Sequence, residues 1–174
     1  MMTVMLLFLF WDEPLDNMVH HFRHQAGSLV VETRFDLRLW PGWRREPLFS
    51  PGAEISSLRL YDRATGKTLF STAVPLLTHV YLSREGRYVI GLSEIDRDNP
   101  YNLVIYSRDG LLLHKERITE DSTYSANITS STSNFVFWFD LLDPAIEVET
   151  REDRLIAISL RDPEGVRIRI PIHR

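Results

Sequence analysis

Cysteine is absent from all 174 residues. That removes disulfides, thiolate nucleophiles and cysteine-held zinc together. It does not choose a compartment, because many exported bacterial proteins and most cytosolic ones fold without disulfides. A positive surplus is also missing: the formal net charge is -4. Duplex-binding proteins carry excess cations to neutralise phosphates, so nucleic acid is not an expected partner.

Long apolar runs are missing too. The most apolar stretch, Met1–Trp11, has eleven uncharged residues, against about 20 needed to span a bilayer. No transmembrane span is expected. Residues 1–14 read as an apolar N-terminal segment, either a degenerate export signal or a first strand. The export reading favours a periplasmic or secreted location over a cytoplasmic one. Residues 15–174 read as a single β domain, a length that supports one sizeable core.

Catalytic signatures are equally scarce. There is no H-E-x-x-H and no glycine-rich phosphate loop. Gly91-Leu92-Ser93-Glu94-Ile95 lacks the last glycine of G-x-S-x-G and sits in a strand-like run rather than at a strand–helix elbow. His79 and His114 remain candidate bases for a triad whose members are distant in sequence.

What is present is period two. Leu29, Val31, Thr33, Phe35, Leu37 and Leu39 alternate with a set that turns polar after Val30, the pattern of a half-buried strand. Apolar strand pairs then flank short polar joints that end in glycine: 55–61 with 67–72, 79–83 with 87–94, 102–107 with 111–118, and 155–160 with 166–173. Glycine accepts the positive φ that tight hairpins require. The expected fold is therefore all-β, with antiparallel hairpins forming a sandwich-like or partial-propeller arrangement of two to three blade-like sheets. Little helix is expected, beyond a short one over Asp16–Gln25 and one turn within Leu141–Arg154.

Three segments look like copies of one unit: LRLYDRATGKTLF (58–70), LVIYSRDGLLLHK (103–115) and IAISLRDPEGVRIRI (156–170). Residues 78–118 resemble a four-stranded β-propeller blade. Ser83, Gly86, Tyr88, Leu103, Tyr106, Asp109 and Gly110 fall on that pattern, with Glu85 where aspartate is usual. Residues 123–173 fit more loosely. The resemblance implies about two and a half blades, whereas closed propellers have at least four. The segments THVYLS, GRYVIGLS and NPYNL also resemble a family of small uncharacterised bacterial proteins, a likeness that implies no activity.

Several clusters are candidate sites. Trp40, Trp43, Arg44 and Arg45 gather residue types that dominate binding hot spots, and point to a protein partner. His20 and His24 would share a face as zinc ligands on a helix, and also on a strand, there with Phe22 between them. Glu94, Asp96, Asp98, Asn99 and Asn102 form an oxygen-rich loop that could ligate calcium, although Pro100 and Arg97 oppose it. Asp140, Asp143, Glu147, Glu149, Glu152 and Asp153 form a second acidic group, where paired carboxylates would do acid–base work. No cofactor is required by any motif. Two functions follow as expectations. One is a non-enzymatic protein-binding domain of inhibitor or immunity type; the other is a small-molecule or metal-binding hydrolase using loop carboxylates. Open sheet edges also offer a route to self-association.

Overall fold

A computed structural model describes residues 19–36, 56–95, 99–119, 122–124, 127–130 and 135–172. The described residues contain strands and turns and no helix. No helix among them is long and apolar enough to cross a membrane.

The first sheet is an antiparallel meander of β1 (Val19–Ala26), β2 (Leu29–Asp36), β3 (Ser56–Asp62) and β4 (Thr68–Ala73). The second repeats that order with β5 (His79–Leu82), β6 (Tyr88–Leu92), β7 (Leu103–Ser107) and β8 (Leu112–Glu116). A short pair, β9 (Thr129–Ser130) and β10 (Val136–Phe137), follows. The third sheet has three strands: β11 (Glu147–Arg151), β12 (Arg154–Arg161) and β13 (Arg167–Pro171).

The sheets stack in chain order, with the second in the middle. On one of its faces Val89, Val104 and Tyr106 pack with Val31, Leu58 and Leu60 of the first sheet. On the opposite face, Tyr88, Ile90, Leu92, Leu103 and Ile105 meet Trp138, Ile158, Leu160, Ile168 and Ile170. Every residue of β6 is buried. Strands covered on both faces read as continuous apolar runs, which explains why alternation is lost in YVIGL. Full burial of each large apolar side chain is worth about 1.5–3 kcal/mol, so the middle sheet anchors both interfaces. The described sheets are antiparallel and none closes into a barrel, an all-β arrangement consistent with a sandwich or a partial propeller.

The outward faces of the two outer sheets are charged. On the third sheet Arg167 meets Glu147 at 2.7 Å, and Arg169 donates to both oxygens of Glu149 at 2.9 and 3.0 Å. On the first, Arg59 pairs with Glu32 at 2.8 Å and lies 4.6 Å from the Tyr61 ring centre.

Two turns show how the sequence sets the geometry. Ser83 Oγ accepts from the Arg87 and Tyr88 amides at 3.1 Å, while the Gly86 amide returns to Ser83 O at 2.7 Å. Ser107 Oγ accepts from the Leu111 amide at 3.1 Å, and the Gly110 amide reaches Ser107 O at 3.0 Å. Gly110 has φ 83° and lies against Phe70, 2.8 Å from where a Cβ would stand. Glycine is required there both for its backbone and for the space.

Two local expectations are corrected. The helix expected over Asp16–Gln25 is absent from its described part: Val19–Ala26 is β1, paired with β2 over all eight residues. Its half-buried positions are His20, Phe22, His24 and Ala26, a period of two. The single turn expected within Leu141–Arg154 is instead mostly β11 and a hairpin. Glu152 and Asp153 take φ 51° and 61° to reverse the chain without a glycine. Residues 1–14 lie outside the described residues.

Candidate functional site

Three histidines, Tyr81 and Glu94 gather, half-buried or buried, where β1 meets β5. Pairing of β5 with β6 sets His79 opposite Leu92, which brings Thr78 beside Glu94. Thr78 Oγ1 bridges Glu94 Oε2 and His79 Nδ1, the latter at 3.0 Å. His79 Nδ1 lies 3.7 Å from Glu94 Oε2. The Glu94 side chain is 2% exposed and that of His79 is 14% exposed. Burial pushes the Glu94 carboxyl up and the His79 imidazole down to about 4, with His20 adding to the latter. Both shifts favour the uncharged forms, and Thr78 links the two side chains by hydrogen bonds.

Aromatic rings close this cluster. Phe22 lies 4.7 Å and Phe139 5.4 Å from the His79 ring, centre to centre. Tyr81 lies 5.3 Å from His24. Burial, then Asp143, Asp140 and Glu94, raise its phenol to about 12. Trp138 Nε1 donates to Ser93 O at 2.8 Å beneath. Walled by rings, these groups make a buried polar cluster in which the Thr78 hydroxyl is held between the Glu94 carboxyl and the His79 imidazole.

The metal expectations fare differently. Four residues apart on a strand, His20 and His24 stand about 13 Å from one another, too far to share an ion. His20 Nε2 faces Thr78 O at 2.6 Å and His24 Nδ1 accepts the Leu82 amide at 3.1 Å. Asn99 is buried, its Nδ2 donating to Leu76 O and Ile95 O at 3.1 and 2.9 Å. Its Oδ1 has no hydrogen-bond partner among the described residues. Asn102 binds Ile118, so Glu94, Asn99 and Asn102 turn to separate contacts instead of one oxygen cage. Asp96 and Asp98 lie outside the described residues, as do Trp40, Trp43, Arg44 and Arg45. No group of three or more potential metal ligands occurs among the described residues.

The second acidic group is spent on structure. Asp140 Oδ1 accepts the Leu142 and Asp143 amides at 2.9 and 3.2 Å. Asp143 pairs with Arg161 at 3.2 Å, and Glu147 and Glu149 hold Arg167 and Arg169. His114 lies 3.0 Å from Glu116, which also accepts from the Tyr124 hydroxyl.

A more open feature lies between the second and third sheets. Two hollows of about 350 and 380 Å³ adjoin there and share Arg87 and Tyr88. Arg108, Asp153, Arg154 and Leu155 line one; Arg84, Ile146 and Val148 line the other. Arg87 pairs with Asp153 at 3.0 Å. The matching serine turns place Arg84 and Arg108 at the same turn position. Their signal in the sequence is the pair Ser-Arg-Glu-Gly and Ser-Arg-Asp-Gly. The hairpin reading uses its glycines and overlooks its arginines.

No protein family matches the chain, and no curated relative does. Solved structures do resemble it. An oligogalacturonate lyase in complex with manganese aligns at a TM-score of 0.42 and 14% identity, over 88% of this chain and 35% of that one. The β-propeller domain of Myceliophteria thermophila Cps50 (Swd1) aligns at 0.29 and 11% identity, over 91% of this chain and 55% of that one.

Proposed function

We propose that the chain is a protein-binding β domain that acts by recognition, with the cleft around Arg87 and Tyr88 as its contact surface. The observation that carries this reading is the cleft's composition: four arginines and a tyrosine on turns and strand ends, interleaved with the carboxylates of Glu85, Asp109, Glu147 and Asp153, over an apolar floor. Arginine and tyrosine supply large contact area and directional hydrogen bonds, which is why they dominate hot spots. Turns held by a rigid sheet present such groups with little further ordering cost. The carboxylates a hydrolase would need are largely committed to internal contacts. An inhibitor or immunity-type protein is the class of binder that suits this size and charge.

The test is a paired affinity capture from the source organism. Wild type is compared with a triple variant, Arg84→Glu, Arg108→Glu and Arg154→Glu, and with Arg59→Glu on the far ladder. A protein kept by wild type and Arg59→Glu, and lost from the triple variant with its circular dichroism unchanged, supports the reading. Equal capture by all three, or none by any, overturns it.

A further inference from the structure

The seam between β1 and β5 is built unlike the rest of the fold. β5 pairs with β6 along one edge. On its other edge Thr78 O and Leu82 N are met by His20 and His24, both at an offset of 58 residues. The equal offset means that β1 and β5 run side by side in the same direction, joined by imidazoles and not by a backbone ladder. Phe22, between the two histidines, lies against His79 and Tyr81.

We infer that this seam is an acid-sensitive latch, in which protonation of His24 and His79 releases β1 from β5 while the ladders within each sheet persist. The chemistry is direct. His24 Nδ1 can accept the Leu82 amide only while it carries a lone pair; a proton there sets two donors against each other. A charged His79 would sit among Phe22, Tyr81 and Phe139 beside His20, with Glu94, which burial pushes toward its neutral form, 3.7 Å away. His20 keeps its Nε2 donor to Thr78 O when charged, but stacks on Phe35 at 4.8 Å with His21 and His79 nearby. Opposite β1, β2 presents Phe35 and Val31 to His20 and His24 and adds no charge there. The ionisable groups facing the cluster from β5 and beyond are Tyr81 and Glu94, with Asp140 and Asp143 near the Tyr81 phenol.

Burial lowers all three imidazoles. Their stabilising effect is therefore present above the ordinary histidine value and lost as pH falls from about 6.5 towards 4. Glu94, raised by burial, has the opposite sign: its effect is present at low pH and lost as pH rises. The lone pair that His24 Nδ1 offers the Leu82 amide is lost only on protonation, which makes acid the loosening direction at that contact.

Hydrogen exchange of the full chain at about pH 7.5 and 5.0, corrected for intrinsic rates, tests the latch. Protection of the Leu82 amide and of the β1–β5 seam is expected to fall about tenfold relative to β6 and β7, the change of one pKa unit in linkage. The double variant His24→Gln with His79→Gln, whose amides do not titrate, is expected to lose most of that response, His20 alone remaining. No change at Leu82 between the two pH values, or a loss shared equally by β6 and β7, would overturn the inference, whether or not the variant folds.

Discussion

Asn102 holds both backbone polar groups of Ile118: Nδ2 donates to Ile118 O at 2.8 Å and Oδ1 accepts Ile118 N at 2.7 Å. The side-chain amide thus extends the β7–β8 ladder past its last backbone pair. Both residues are buried, so truncation leaves a donor and an acceptor dry. Asn102→Ala is expected to cost about 2–4 kcal/mol, read as a lower urea midpoint with unchanged slope. A loss under about 0.5 kcal/mol would mean that water replaces the amide.

Gly91 and Gly66 separate two reasons for a glycine. A Cβ on Gly91 would stand 2.5 Å from Leu77 Cδ1 and 2.8 Å from Val104 Cγ2. Gly66 has φ 71° and nothing within 4 Å. Gly91→Ala is expected to cost about 1–3 kcal/mol through overpacking, and Gly66→Ala about 1 kcal/mol through backbone conformation. Thermal melts of the two variants check the order.

The stability of the whole chain should also follow its buried imidazole. His79 moves from 6.5 to about 4, which makes roughly 3 kcal/mol of stability depend on pH. Because its folded value is depressed, that contribution is lost as pH falls from about 6.5 to 4. Glu94→Gln removes the opposing carboxyl and is expected to steepen the acid loss. Urea titrations of wild type and variant at about pH 7.5, 6 and 4.5 measure the linkage. Parallel profiles would contradict the assignment.

The hairpins are legible in the sequence because glycine joints and period-two strands carry local signals. Strands are expected over 67–72 and 102–107, and β4 and β7 fall there. β1 is not legible: His20 to His24 fits a helical face as well as a strand, and the ladder with β2 decides between them. The β11–β12 turn is hidden because Glu152 and Asp153 reverse the chain without glycine. The Thr78–His79–Glu94 cluster is hidden for another reason. Its members lie up to 16 residues apart and meet only through the β5–β6 register. The arginines of the cleft come from three separate turns, which only the stacking of sheets brings together.

Recognition through the inter-sheet cleft is the central claim, and a hydrogen-exchange footprint tests it most directly. The full chain is compared alone and in complex with the protein captured by wild type. The account predicts new protection confined to the turns around 83–88, 107–110 and 152–155. Protection on the Arg59 or Arg169 ladders, with those turns unchanged, would contradict it.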